Sequence, residues 1–499
     1  MSPGPESPRP ARIAVIGGGI AGLAAAHRVL EIAPTLGRPI EVAICEAAGR
    51  AGGVVGTERA DGYLIESGPD SFLTEKPWAL ALCQRLALPG GVIPTRRDRR
   101  RTYVVRRGRL VPLPDGFALI APTRLGAVLR SRLFSWPGKA RLALDLVMPR
   151  GPARDDESLG SFVTRRLGRE VLERVAQPMA AGIYTADPDT LSLAATMPRF
   201  LEMEHRDRSL ILALMRAQRR ADRSAHSPGE SGPRWTLFAA PRAGVGALVD
   251  ALAARLPPGS MRLGTRVRSI SARSGGGYEV EVEGGPPLAA DGVVVAVPAD
   301  RAAALLARLD AGLAGLLGAV RYASSAEITF AYRREQIRHP LDGFGFVVPA
   351  IERLPLLACT FSSVKFEARA PAGRVLLRAF LGGALRPEAL DDDDGPLIDA
   401  AEGTLSRLLG ISGRRHLVRV HRHPKAMPQY LVGHLARVDE IEARAARHPA
   451  LALAGNAYRG VGIPDCVRSG EAAAERVLKE YTPAGAAAPA GANGPVPGR

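Results

Sequence analysis

The sequence predicts an α/β fold in which strands and helices alternate through several domains. Three observations carry that prediction. The chain has 499 residues, more than one simple core holds. Near its start an apolar run, Arg12–Ile16, leads through a glycine-rich turn into a helical stretch and then a second apolar run, Ile40–Cys45. Beyond that opening βαβ pattern, alternating and continuous apolar runs are mixed with segments of helical period.

Composition narrows the class. Hydrophobic residues at 46% and charged residues at 23% are ordinary for a globular protein and exclude disorder over most of the length. Cys45, Cys83, Cys359 and Cys466 lie far apart with no Cys-x-x-Cys pair, which argues against a disulfide framework or a zinc ribbon and for a reducing, cytoplasmic setting. The net charge of +17 is carried mostly by arginine; the lysines are Lys76, Lys139, Lys365, Lys425 and Lys479. That skew reads as a composition bias as much as a binding surface. The basic stretch from Arg96 to Arg109 holds one aromatic, Tyr103, too few to stack bases, so no nucleic acid partner is expected. Residues 1–10 are Pro-rich without an apolar core and read as a flexible tail, not a signal peptide. The most apolar long run, Ala302–Val320, contains Arg308 and Asp310, so no spanning helix is expected. Peripheral contact with the inner face of a membrane is left open, through the apolar and basic stretches between Leu110 and Met148.

The elements follow in order. After Cys45 the chain is glycine-rich and loop-like to about Phe72. From Arg96 to about Ala217 helical periodicity dominates, with a start signal at Asp155–Ser158. Arg219–Gly232 is polar and reads as a loop. Strands are expected at Met261–Ile270, Tyr278–Glu283, Gly292–Val297, Ala326–Tyr332, Phe344–Val348 and Val375–Leu381, with a helix at Asp300–Leu309. Asp391–Asp394 reads as a solvated loop tip, Leu451–Gly455 as a last strand and Ser469–Glu480 as a last helix. Residues 482–499 are of low complexity and read as a disordered tail.

Gly17, Gly19 and Gly22 give G-x-G-x-x-G between strand and helix, in the turn Gly17-Gly18-Gly19-Ile20-Ala21-Gly22. The first glycine permits the tight turn, the second lets backbone approach a pyrophosphate, and the third allows helix to pack on strand. Glu46, ending the second strand, is placed to accept hydrogen bonds from a ribose. Two further turns follow closely. Arg50 to Gly53 offers backbone and a guanidinium to a pyrophosphate, and Glu66-Ser67-Gly68-Pro69-Asp70 makes a second tight turn. A glycine-dense loop, Ala454–Asp465, feeds the last helix, again suited to an anion or a polar ring edge. A nicotinamide site has no need of these additions, whereas a flavin threaded through the domain does.

With these pieces the chain resembles the flavin-containing amine-oxidase-like proteins and, more narrowly, the oxygen-dependent porphyrinogen oxidases of haem synthesis. The resemblance covers Ala11 to about Tyr481. It is carried by IGGGIAGLAAA, EAAGRAGGVV, ESGPDSF, SLGSFVTRRLGREVLERVAQPMAAGIYTADPDTLSL, GFGFVVP, PKAMPQYLVGH and AGNAYRGVGIPDCVRSGEAAAE. It implies a discontinuous Rossmann-like FAD-binding domain (11–75, 236–298 and 440–481), a mixed-sheet substrate-binding domain (76–95 and 299–439) and a helical domain able to face a membrane (96–235).

The resemblance further implies that Gly17 to Gly22 and Glu46 hold the ADP half of FAD. Val54, Gly68, Pro69, Asp70 and Ser71 would line the cofactor and Val267 would meet the adenine through its backbone. Asn456, Val461, Gly462 and Ile463 would sit by the isoalloxazine. The Gly182 carbonyl would orient pyrrole N–H groups in the catalytic slot, with Val347, Thr360 and Phe380 as walls; each of the three also reads as ordinary packing. The implied reaction removes six electrons and six protons from a porphyrinogen, with O2 as acceptor and H2O2 as product. The cofactor carries the redox step, so no histidine, serine or cysteine need stand out.

In this family an arginine precedes an aromatic to meet a propionate. Here Thr102 occupies that place, so either Arg101 serves after a one-residue shift or this chain meets the carboxylates differently. The segment Gly116–Thr123 resembles the branch that oxidises coproporphyrinogen III, with four propionates, more than the branch that oxidises protoporphyrinogen IX. An amine oxidase or a carotenoid desaturase on the same fold is the rival enzyme reading, and a basic nucleic-acid-binding protein the non-enzyme one. A homodimer and hand-off of product to a ferrochelatase are left open by the resemblance. His416, His421, His423 and His434 lack a metal-ligand spacing and read as solvated loop residues, so no metal is expected.

Overall fold

The computed structural model describes residues 9–96, 98–118, 120–152, 154–224 and 237–480. The two terminal tails fall outside that set, apart from Arg9 and Pro10. The opening βαβ pattern builds a five-stranded parallel sheet, in the order Met261–Arg262, Ile40–Cys45, Ala11–Ile16, Gly292–Val295 and Leu451–Leu453. Its strands are short and nearly all apolar because both faces are covered. On one side the helices Ile20–Ile32 and Ile463–Lys479 pack Leu23, Val29, Val467 and Val477 against Val15 and Ile44. On the other lie a three-stranded antiparallel sheet (Val267–Ala272, Tyr278–Val282, Leu288–Ala290) and the helices Ala299–Leu306, Ala311–Gly318 and His434–Ala445.

A second sheet of seven strands runs in the order Leu417–Pro428, Tyr322–Arg333, Arg374–Gly382, Ala358–Phe361, Gly343–Val347, Arg101–Arg106 and Arg109–Pro112. Strand period two divides its side chains cleanly. Ile328, Phe330, Leu377, Ala379, Phe346 and Cys359 face the helix Asp394–Leu409 and close a core with Leu397, Ala401 and Leu405. Glu327, Arg378, Phe380, Thr360 and Val347 take the alternate positions and line a cavity. Over that cavity stands a helical body built around Phe162, Val163, Leu167, Phe200 and Leu210. Its centre holds a buried ion pair, Arg166 with Asp145.

Several expectations are corrected. The pair Arg101–Arg106 and Arg109–Pro112 was expected in the helical domain, yet Thr102 aligns with Gly345 in the seven-stranded sheet, because alternation over RTYVVR fits a half-buried strand. Residues 76–95 were expected with the substrate sheet. Instead Ala79, Leu82, Cys83, Leu86 and Leu88 pack in the core of the parallel sheet, and Val92–Pro94 pairs with Phe238–Pro241. Residues 219–224 continue the helix Leu210–Ser224; residues 225–232 of the expected loop lie outside the described residues. The last helix starts at Ile463 rather than Ser469, since Pro464 sits in its first turn where a missing N–H costs nothing. Asp393 and Asp394 of the acidic run open the helix Asp394–Leu409, which a negative charge at the N-terminus favours. The four cysteines are free and buried. Among the described residues no helix is long and apolar enough to cross a membrane.

Candidate active site

The strand Ala11–Ile16 ends in Gly17, whose φ of +107° turns the chain sharply into the helix at Ile20. Gly19 caps that helix without a side-chain hydrogen bond, so among the described residues its first N–H groups have no side-chain partner. Glu46 accepts from the backbone N–H of Gly18 at 2.6 Å and of Ala48 at 2.7 Å, fixing the turn beside the second strand. The loop that follows is drawn against the turn by Gly52 N–H, which donates to the Gly18 carbonyl at 2.8 Å. Arg50 braces this loop, donating to the carbonyls of Ala51, Gly53 and Val55 at 3.1, 2.6 and 3.0 Å. Thr265 N–H donates to the Glu46 carbonyl at 2.8 Å, which brings Val267 to the same end of the sheet.

A cavity of about 480 Å³ opens between the two sheets and the helical body. Val54, Gly68, Pro69, Asp70, Ser71, Asn456 and Val461 line it from the glycine loops. Gly182 and Met179 line it from the helix Gln177–Tyr184, and Val347, Thr360 and Phe380 from the seven-stranded sheet. Tyr430 secures the Asn456–Val461 side: its hydroxyl donates to the Asn456 carbonyl at 2.7 Å and accepts from Gly460 N–H at 2.8 Å.

Charge is concentrated on the cavity floor. Lys365 Nζ donates to Asp70 Oδ1 at 2.8 Å and to Ser71 Oγ at 3.0 Å. Arg378 donates to Glu327 and to the Gly68 carbonyl, and its other nitrogen lies 3.9 Å from Asp70. Burial pushes the Asp70 carboxyl up, but the Lys365 ammonium and the Arg378 guanidinium outweigh it and hold the group well below the usual carboxylate range.

Residues 20–478 match the family model of flavin-containing amine oxidoreductases. The chain belongs to that family. Among its relatives, the coproporphyrinogen III oxidase of Bacillus subtilis (strain 168) is 35% identical over 93% of this chain and 97% of its own length. The coproporphyrinogen III oxidase of Propionibacterium freudenreichii is also 35% identical, over 98% of this chain and 94% of its own. A crystal structure from Exiguobacterium sp. 255-15, provisionally named a protoporphyrinogen oxidase, superposes with a TM-score of 0.82 at 30% identity, covering 94% of this chain and 99% of that one.

An FAD bound by this flavin oxidoreductase would find space at the first glycine turn. A Cβ built on Gly19 would meet nothing within 4 Å, so an open space lies directly at the helix N-terminus, where a pyrophosphate is favoured. Gly17 to Gly22, Glu46 and the Gly52–Gly53 loop surround that end, while Val54, Gly68, Asn456 and Val461 stand at the cavity, where the ring would reach substrate. When bound, FAD supplies the two-electron chemistry.

The structure brings most of the sequence-derived residues to these two places. Gly462 and Ile463 open the last helix next to Val461. Arg50 is directed to its own loop's carbonyls rather than outward. Arg101 lies off the cavity in the flavoenzyme: it donates to Asp342 at 2.6 Å and its side chain is 62% exposed. The reason is strand period. Arg101 and Tyr103 share one face, with the Tyr103 hydroxyl also on Asp342, and Thr102 takes the cavity face, so a one-residue shift reverses direction. His421 and His423 lie on the strand Leu417–Pro428, not on a solvated loop. His434 is fully buried, stacked on Tyr430 and paired with the Tyr458 carbonyl. Among the described residues no cluster of three or more His, Cys, Asp or Glu is placed to hold a metal.

Sequence reasoning missed Glu327, Lys365, Arg378 and His423 on the floor. A signal existed for Glu327 and Arg378: AEITF and LLRAF each set one charge between apolar neighbours in a strand pattern. The Asp70 pairing gives a pH prediction. A depressed carboxyl stabilises the fold fully above its ordinary value of 3.8, and that contribution drains away as the pH falls toward the lower folded value. Urea unfolding at successive pH values below about 5 is expected to show a falling stability that Asp70→Asn makes shallower.

Proposed function

We propose that this oxidoreductase converts a porphyrinogen to the porphyrin, with coproporphyrinogen III preferred over protoporphyrinogen IX. Dioxygen takes the electrons and hydrogen peroxide forms. The cavity carries the reading. Residues at the flavin end and the apolar walls Met179, Val347 and Phe380 share one space, so a tetrapyrrole ring entering it meets the cofactor edge. Gly182 lies in the last turn of the helix Gln177–Tyr184, where carbonyls run out of intrahelical partners and the helix end is negative. Its carbonyl is suited to accept pyrrole N–H groups. The two 35% identical relatives named for coproporphyrinogen favour the four-propionate substrate over the one named in the 30% identical structure. Exposed Leu129, Trp136, Leu144 and Val147 on the helical body support peripheral membrane contact. A coproporphyrin product would then pass to a ferrochelatase.

Purified yellow protein is expected to generate porphyrin fluorescence from coproporphyrinogen III faster than from protoporphyrinogen IX, after subtraction of autoxidation. The reverse order would change the substrate; retained flavin with neither activity would overturn the reading. Gly182 supplies a companion test. Among the described residues, chain neighbours aside, a Cβ there would meet only Ala358 Cβ, at 4.0 Å, so a larger side chain is accommodated by the fold but stands in the cavity. Gly182→Leu is expected to keep its flavin and thermal stability while porphyrinogen turnover falls about 100-fold.

A further inference from the structure

Glu327 and His423 on the cavity floor form a cluster with His421 behind them that the binding of FAD and macrocycle leaves unexplained. Glu327 is directly opposite His421 across the strand pair, and His423 is two residues further along the same face. The spacings are 3.6 Å between His421 Nδ1 and Glu327 Oε1 and 3.9 Å between His423 Nε2 and Glu327 Oε2. Glu327 Oε1, His421 Nδ1 and His423 Nε2 are all buried atoms without a hydrogen-bond partner among the described residues. Glu327 is 2% exposed and lines the cavity together with His423. A buried carboxylate oxygen and two imidazole nitrogens left unpaired are costly in a static core. They are suited to a group that gains and loses a proton.

Propionate binding is the competing explanation, and the charge balance disfavours it. The floor sets two carboxylates, Asp70 and Glu327, against two cations, Lys365 and Arg378, so no net positive charge remains for an incoming carboxylate.

We propose that His423, supported by Glu327 and His421, is the proton acceptor for macrocycle oxidation in this cavity, an inference that rests on the porphyrinogen reading above. In each two-electron step a bridging C–H bond breaks and its hydrogen leaves with both electrons to the two-electron acceptor. A pyrrole N–H bond breaks, its electron pair stays in the macrocycle as the new π bond, and the proton passes to His423; after three such steps one bridging-carbon proton shifts to a ring nitrogen, so that four C–H and two N–H hydrogens are lost in all. Glu327 stabilises the imidazolium, and His421, whose side chain is 23% exposed, passes the proton toward solvent. The proton is returned when dioxygen is reduced to peroxide.

The surroundings keep His423 ready for this role. Burial lowers its pKa, Glu327 raises it, Arg378 and His421 lower it, and a hydrogen bond to the Ser67 backbone raises it; the balance is a lowered value, so the ring is neutral at neutral pH. Around the cluster stand Glu327 on one strand, Arg378 on the next, His421 on the third, Glu66 and Asp70 in the turn, and Lys365 on the short helix Ser362–Lys365.

The test compares wild type, His423→Gln and Glu327→Gln as holoenzymes. Flavin content and product affinity, read by porphyrin fluorescence quenching, serve beside turnover from about pH 5 to 9. Wild-type turnover is expected to fall on the acid side as His423 becomes protonated. His423→Gln is expected to lose about 100-fold at the optimum, to lose that acid limb, and to recover with added imidazole, with flavin and product affinity intact. Glu327→Gln is expected to move the acid limb to lower pH, since the partner that favours imidazolium is gone. If His423→Gln keeps the wild-type rate and acid limb, the relay is wrong while the porphyrinogen reading stands. If His423→Gln loses rate but retains the acid limb and is not rescued by imidazole, its role is structural and the relay is overturned. If wild type oxidises no porphyrinogen, both fail together.

Discussion

A Gly19→Val variant is expected to purify folded and colourless. Gly19 has φ −71° and ψ 176°, an extended conformation that any residue adopts, so the substitution carries no backbone strain. Among the described residues, chain neighbours aside, no atom lies within 4 Å of a Cβ at that position, so the packing leaves room for it. The side chain instead fills the space in front of the helix N-terminus, where the cofactor's pyrophosphate is to be received. A steric cost of about 3 kcal/mol there lowers affinity about 100-fold. Gly22→Ala makes the contrast. Its Cβ would stand 2.0 Å from the Gly17 carbonyl oxygen and 3.3 Å from Ala296 Cβ, so helix and strand must part. That variant is expected to lose flavin and, in addition, about 1–3 kcal/mol of stability. The ratio of flavin to protein absorbance and a thermal melt by circular dichroism separate the two cases. A Gly19→Val protein that retains its full flavin would remove the assignment of the cradle.

The difference between these glycines also shows which parts of the molecule could be read in advance. The G-x-G-x-x-G turn, Glu46 and the flanking strands are local: each requirement is met within a few residues, and the structure follows the sequence pattern through Cys45. The last glycine loop is equally local. The cavity floor is not. Glu327, Arg378 and His423 come from three different strands that meet only through sheet order, and strand order is not encoded by periodicity. The substrate sheet was half legible for the same reason: Tyr322–Arg333 and Arg374–Gly382 alternate strongly, whereas HRHPKAMP within Leu417–Pro428 shows no apolar alternation and is a strand because it pairs with Tyr322–Arg333. Arg101 illustrates the converse. Its residue type suited a carboxylate partner, but only the pleat decides which face it takes.

Arg166→Met is expected to loosen the helical body and with it the Gly182 wall of the cavity. Arg166 is 1% exposed and Asp145 is fully buried. The guanidinium donates through Nε to Asp145 Oδ1 at 2.8 Å, and to the carbonyls of Pro149 at 2.7 Å and Arg208 at 2.8 Å. It therefore ties the segment before the helix Leu159–Leu167 to the start of the helix Leu210–Ser224. Removing it leaves Asp145 without its counter-charge and takes a donor from the carbonyls of Asp145, Pro149 and Arg208, a loss of about 3–5 kcal/mol. Because that interaction lies within one body, unfolding should separate into two transitions, the helical body melting first and the flavin-bearing sheets later. Flavin content is then retained while porphyrinogen oxidation is lost. The double variant Arg166→Met, Asp145→Leu sharpens the argument. Had the two residues formed a simple ion pair, replacing both by apolar side chains would restore most of the stability. Asp145 Oδ2, however, also accepts from Ser209 Oγ at 2.6 Å and from Ile211 N–H at 3.0 Å, capping the helix that begins at Leu210. The double variant is therefore expected to recover the cost of the unpaired charge yet remain about 1 kcal/mol or more below wild type, the value of a lost cap. Full recovery would mean that Asp145 acts only as the partner of Arg166 and that the cap contributes nothing to holding Gly182 over the cavity.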